Sequence, residues 1–209
     1  MSDDIKVTGT PQTFGDGAVR NTKEGKGRFD LIPPEPFYFI LDRIHALRNE
    51  NKPYIDISNE NVWKCAFVDS KYVDVIIALT IRGYTDAANG FIVNQQHNVS
   101  LDLFSEGVWK MLQALAIHFQ KGAEIYGEHN CEKGIPNWSF RDSGLRHTAQ
   151  YFSGLTDEPH LISAIWNFWM LIWSSVKDVP LLDEYKWPDF ETSMDIINKH
   201  CRKRDNYNE

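Results

Sequence analysis

Apolar residues recur along much of this chain at the three-to-four-residue spacing that places them on one side of a helix. Pro33, Pro34 and Pro36 suit the first turn of a helix, where amide donors lack partners. Phe37, Ile40, Leu41, Ile44 and Leu47 then continue the stripe, which predicts a first helix ending near Asn49. Asn59 to Phe67 reads as a short helix, and Val73, Ile76, Ile77, Thr80, Ile81 and Tyr84 follow a further stripe. Its VDVIIALTI core is β-branched enough to suit a buried strand as well; helix is the expectation, although periodicity alone does not settle a short apolar run.

Ser105 and Glu106 predict the start of a longer helix, carried by Val108, Met111, Leu112, Leu115, Phe119 and Ala123 and stopped at Gly127. Ser139 caps another that runs to about Phe152 and closes at Gly154. Asp157 caps the next, with Leu161, Ile165, Phe168 and Ile172 on one side. Trp187 and Pro188 precede a last helix from about Phe190 to Arg202. Between the helices, residues Met1 to Thr22 lack periodicity and read as a flexible arm, and Thr85 to Ser100 reads as a loop. The expected fold class is therefore mainly all-α, a helical bundle.

Composition narrows the possibilities. A chain of 209 residues with 42% hydrophobic content, seven Trp and twelve Phe can bury one sizeable aromatic core. A net charge of −7 argues against a broad grip on a nucleic-acid polymer, which needs clustered cations. The basic run from Lys199 to Arg204 suits a helix end rather than a recognition patch. Cys65, Cys131 and Cys201 are odd in number and far apart, which predicts neither disulfides nor a zinc site and fits a reducing cytoplasm. The most apolar run, Leu161 to Val176, is too short for a membrane span and contains Asn167, so a soluble protein with no membrane partner is expected.

The densest collection of acids, imidazoles and amides lies between His118 and Asn167. His160 and Asn167 are seven apart and so share a helix face, with Asp157 and Glu158 just ahead of them. On the preceding helix, Asp142 and Arg146 are four apart, as are Ser143 and His147. Two antiparallel helices can therefore present Asp142, His147, Asp157, Glu158, His160 and Asn167 to one cleft, a set suited to Mg²⁺ or Mn²⁺. Plainer readings stand beside this one. Asp142 with Arg146 makes a surface ion pair, Asp157 an N-cap, and His160 and Asn167 satisfied core polar groups. Tyr126, Trp138, Trp166 and Trp169 read as core aromatics, and Glu124, Glu128 and Glu132 as a solvated face. Near the N-terminus, Gly25 and Gly27 flank Lys26 beside Arg28, so a flexible backbone can gather cations around an anion, though the spacing is not that of a phosphate-binding loop. No activated nucleophile is evident, Cys131 included.

Four segments in order, EGKGRFDLIPP, GAEIYGEHNCEKG, RDSGLRHTAQYFSG and DEPHLISAIWN, resemble the phage-encoded dATP/dGTP diphosphohydrolase family, grouped loosely with MazG-like all-α nucleotide pyrophosphohydrolases. The resemblance covers Glu24 to about Leu47 and about Met111 to Trp173. It implies metal-dependent hydrolysis of a purine deoxynucleoside triphosphate to monophosphate and pyrophosphate, in a homo-oligomer working in the host cytoplasm. It implies Asp142, Asp157 and Glu158 at the metal, with Glu132 as a further ligand or base and His147 and His160 orienting water or phosphate. Lys26, Arg28, Lys133 and Arg146 would neutralise phosphate oxygens, and Tyr126, Asn130 and Asn167 would contact sugar or base.

Two departures accompany the resemblance. The family's usual NWEKG stands here as Asn130, Cys131, Glu132, Lys133 and Gly134, and a long segment separates the first helix from the YG-containing one. The implied organisation is an arm at 1–22, a helical domain split into 23–49 and 106–176 by an insertion at 50–105, and a C-terminal helix and tail at 177–209. The alternative function is nucleotide binding, or sequestration, without cleavage.

Overall fold

The computed structural model describes residues 26–50, 71–84 and 98–177, short stretches at 12–13, 17–20 and 54–56, and isolated positions including Val62 and Ala66. Among the described residues, five α-helices carry the fold: α1 (Glu35–Asn49), α2 (Tyr72–Tyr84), α3 (Leu101–Tyr126), α4 (Asn137–Phe152) and α5 (His160–Val176). Short 3-10 turns occur at Phe29–Leu31 and Asn130–Lys133. The chain is mainly all-α, as the periodicity predicts. Two small antiparallel ribbons accompany the helices: β1 (Gln12–Thr13) with β2 (Val19–Arg20), and β3 (Tyr54–Asp56) with β4 (Asn98–Ser100). Part of the expected N-terminal arm is thus paired. The predicted C-terminal helix lies outside the described residues, and of the short helix at 59–67 only Val62 and Ala66 are described, both helical and buried.

Helix α5 is the hub. Thirteen of its residues are buried, including Ile165, Phe168, Trp169 and Met170 at 0% exposure; burying each such side chain contributes about 1.5–3 kcal/mol. It packs against α4, α2, α3 and α1. The Trp169 indole N–H donates to the Pro33 carbonyl at 3.0 Å, tying α5 to the proline turn that starts α1. Lys177 and Glu35 join the same two elements at 2.6 Å. Seven consecutive residues of helix α2, Val75 through Ile81, are buried, so its β-branched run is a core helix rather than a strand. Tyr72 at its start stacks on Phe168 of α5 with centroids 5.6 Å apart, and Arg43 of α1 pairs with Asp74 at 2.8 Å. The segment 50–105 therefore supplies a central element of the core.

Several helix starts differ from the expected caps. Helix α3 begins at Leu101, about one turn before Ser105. Pro136 and Pro159, not Ser139 and Asp157, occupy the N-cap positions of α4 and α5. Proline's fixed φ presets the turn, and this leaves the Asp157 carboxylate free for another partner. Gly127 and Gly154 follow α3 and α4 with φ of 87° and 75°, the left-handed conformation expected of helix-ending glycines. Among the described residues, no helix is long and apolar enough to cross a membrane.

Candidate functional site

The turn from α4 into α5 brings two imidazoles and two acids together. His147 Nδ1 lies 3.0 Å from His160 Nδ1, His160 Nε2 lies 2.9 Å from Asp157 Oδ1, and His147 Nδ1 lies 3.9 Å from Glu158 Oε2. Both rings are buried while both carboxylates face solvent, so the cluster sits at the protein surface with a dry inner wall. Burial, with Arg146 adding to it, lowers the His147 pKa below the ordinary imidazole value. The hydrogen bond from His160 holds the Asp157 carboxyl below its usual range.

Beside this cluster lies a cavity of about 370 Å³, walled by Leu31, His118, Phe119, Ala123, Cys131 and Trp166, with Tyr126, His129 and Asn130 at its lining. The Trp166 ring meets His118, Phe119 and Phe140 at centroid distances of 5.7, 6.1 and 5.7 Å. His118 links the two halves: burial first, then the charge of His147, lowers its pKa to about 4, so it is neutral at physiological pH. Burial, assisted by Glu132, pushes the Cys131 thiol up to about 11, which leaves little thiolate to act as a nucleophile.

The cavity's outer wall is a tight loop. His129 adopts a φ of 55°, the one positive value among described non-glycine residues, and Gly134 turns the chain back at 102°. The His129 ring is held to Glu132 at 2.7 Å. The turn at Lys26–Arg28 docks on α3: Gln113 donates to the Lys26 carbonyl at 2.7 Å and the Arg28 amide donates to the Ala116 carbonyl at 3.0 Å. The Arg28 guanidinium bridges Asp30 and Glu128, each at 2.7 Å, and these acids raise its pKa further above its ordinary value.

The structure thus gathers His147, Asp157, Glu158 and His160 at one corner and places Tyr126 and Asn130 at the cavity. Asp142 is exposed and is not in the ligand-spaced set of His147, Glu158 and His160. The reason is helical geometry: five residues at about 100° each put Asp142 and His147 about 140° apart around α4. Arg146 reaches Gln150 at 3.4 Å rather than pairing with Asp142. Asn167 is 5% exposed and gives its amide N–H to the Ser163 carbonyl at 2.8 Å, as the plainer reading of a satisfied core group expects. Glu132 is engaged by His129, Arg28 by two acids, and Lys26 and Lys133 are exposed. The roles of His118 and Trp166 in the cavity were not anticipated. The signal was available in His118, Gly122 and Tyr126, a four-residue repeat of polar, small and aromatic side chains on one face of α3.

A helical bundle that sets an imidazole–carboxylate cluster beside a ring-sized apolar cavity is built to hold a small molecule with one flat apolar end and one charged end. Residues 91–183, a little under half of the chain, match the family described as dATP/dGTP diphosphohydrolase, N-terminal. The match takes in α3, α4, α5, the cavity loop and the histidine cluster; the EGKGR turn lies outside it. No curated protein and no solved structure matches the chain.

Proposed function

We propose that this protein hydrolyses the purine deoxynucleoside triphosphates dATP and dGTP to the monophosphate and pyrophosphate, using a divalent ion, Mn²⁺ or Mg²⁺. The family match over residues 91–183 is the observation that carries this reading. In the reaction, water adds to the α-phosphorus, the bond from that phosphorus to the oxygen bridging to the β-phosphorus breaks, and pyrophosphate leaves with that oxygen. The purine occupies the apolar cavity against Trp166, with Asn130 offering both a donor and an acceptor to its edge. The triphosphate would run from there to the α4–α5 corner, where Glu158, His147 and His160 would hold the ion. When bound, the ion neutralises phosphate oxygens and lowers the pKa of water. Lys26, Lys133 and Arg146 lie exposed to meet the remaining phosphate charge.

The donor set supports Mn²⁺ over Mg²⁺, because Mg²⁺ prefers oxygen ligands alone. We read the bundle as MazG-like, the working form as a homo-oligomer, and the setting as a phage-infected cytoplasm in which the deoxynucleotide pool is adjusted. The test is incubation with each of the four deoxynucleoside triphosphates and Mn²⁺ or Mg²⁺. Pyrophosphate and the matching monophosphate should appear from dATP and dGTP and not from the pyrimidines; no product from either purine overturns the reading. A second reading, retention of the nucleotide without cleavage, draws on one observation: with Asp142 turned away, Glu158 is the single carboxylate in the ligand-spaced set. Tight binding of dGTP without product would favour it.

A further inference from the structure

We infer that the α4–α5 corner is a mixed nitrogen–oxygen metal centre, with His147 Nδ1, His160 Nδ1 and Glu158 as ligands and Asp157 as the outer carboxylate that orients His160. It takes a transition-series divalent ion of the Mn²⁺, Co²⁺ or Zn²⁺ kind in preference to Mg²⁺.

Three observations converge on this. The first is spacing. One ligand atom from each of His147, Glu158 and His160 lies within 4.8 Å of the others, and the two Nδ1 atoms are 3.0 Å apart. Two nitrogens bound at about 2.1 Å to one ion and about 90° apart stand about 3.0 Å from each other. Glu158 is exposed, so rotation about its side chain brings its oxygen the rest of the way.

The second is the tautomer. Asp157 accepts from His160 Nε2 at 2.9 Å, which places that ring's proton on Nε2 and leaves a lone pair on Nδ1. A carboxylate fixing the far nitrogen of an imidazole is the arrangement that metal-binding histidines use, since it sets ring orientation and raises ligand basicity. Without an ion, the facing Nδ1 of His147 must carry the proton that the two rings share at 3.0 Å. An ion takes that proton's place, and the His147 proton moves to Nε2.

The third is the setting. Both rings are buried and held by the packing of α4 on α5, whereas the carboxylates line the open side. Three protein ligands with an open outer face leave coordination positions for phosphate oxygens or water, as in a catalytic rather than a structural centre. Two imidazoles among three ligands favour borderline ions over the oxygen-preferring Mg²⁺. The use of this ion in hydrolysis rests on the function proposed above; its binding does not.

The experiment is titration of the chelator-stripped full-length protein with Co²⁺, Zn²⁺, Mn²⁺ or Mg²⁺ alone, by calorimetry, with the visible spectrum of the Co²⁺ form recorded alongside. One Co²⁺ or Zn²⁺ per chain should bind on the order of 100-fold or more tighter than Mg²⁺. Asp157→Asn should weaken Co²⁺ binding by roughly 10–100-fold, and Glu158→Gln should weaken it and change the Co²⁺ spectrum. Both side chains are exposed, so circular dichroism should show folded variants. His45→Gln, on the exposed face of α1, should bind as the parent does. Co²⁺ binding no tighter than Mg²⁺, or unchanged in both variants, overturns the centre. Pyrophosphate release is scored separately. Product formed with Mg²⁺ while Co²⁺ fails to bind leaves hydrolysis standing without this centre, and tight Co²⁺ binding without product leaves the centre standing without hydrolysis.

Discussion

Gly27 shows how a single residue lets the Lys26–Arg28 turn sit on α3. Its φ is +79°, and a Cβ there would stand 2.8 Å from Ala116 Cβ and 3.0 Å from the Ile117 backbone nitrogen. A backbone neighbour cannot step aside, so Gly27→Ala adds left-handed strain of about 1–2 kcal/mol to an overpacking cost of about 1–3 kcal/mol. Urea unfolding should therefore show a loss of about 2–5 kcal/mol; a loss under about 1 kcal/mol would mean that the turn is not seated on α3. His118 gives a second test. Its folded pKa, near 4, lies below the ordinary imidazole value of about 6.5, so the unfolded chain takes the proton first as pH falls. The stability gained by keeping this ring neutral is complete above about pH 6.5 and is lost down to about pH 4, up to about 3 kcal/mol. Denaturation curves of the parent and His118→Asn should converge by that amount between pH 7 and 4, whereas parallel curves would remove the burial argument. Neither role can be read from residue type alone. The sequence marks Gly27 as flexible, but the reason for glycine is Ala116, 89 residues further along the chain, which it meets only once the turn docks on α3.

At the scale of elements, the α4–α5 hairpin makes the histidine corner, and its closest crossing is at Gly144. A Cβ at Gly144 would meet the Phe168 ring at 3.0 Å and Asn167 Cβ at 3.3 Å. Alanine gains up to about 1 kcal/mol over glycine in a helix interior, yet Phe168 is fully buried and stacked on Tyr72, so it has nowhere to move. Overpacking of about 1–3 kcal/mol should win, making Gly144→Ala less stable by about 1 kcal/mol. It should also lower turnover, because His147 lies on α4 one turn beyond the displaced point. A variant more stable than the parent would mean that the two helices slide apart freely. This hairpin was legible in outline. The apolar stripe of α5, the glycine stop after α4 and the pairing of His147 with Glu158 and His160 all follow from spacing. On α4, Asp142 and Arg146 share one side and His147 the other, a distinction that about 100° per residue already contains. Helix α2 was ambiguous for a different reason: when every side is buried, no polar face remains to reveal the period.

Across the whole molecule, the proposed site has two halves, a ring-sized cavity lined by His118 and Trp166, and a charged corner. A ligand that spans both should stabilise the fold by mass action, whereas a ligand for one half should act through that half alone. A dGTP analogue with a methylene between the α- and β-phosphorus resists cleavage and separates binding from turnover. At about 100 times its dissociation constant it should add about 2.7 kcal/mol, which for a chain of this size raises Tm by roughly 5–10 °C. Gly122 decides the cavity half. It lines the cavity and a Cβ there would meet nothing within 4 Å, so Gly122→Trp would put an indole into the space assigned to the purine. That variant should lose most of the analogue's Tm shift and keep the shift produced by Mn²⁺ alone. Glu158→Gln should lose most of the Mn²⁺ shift and, since the triphosphate is held through the ion, much of the analogue's shift as well. If Gly122→Trp responds to the analogue as fully as the parent does, the purine is not bound in this cavity, and the nucleotide must approach the histidine corner from its exposed side.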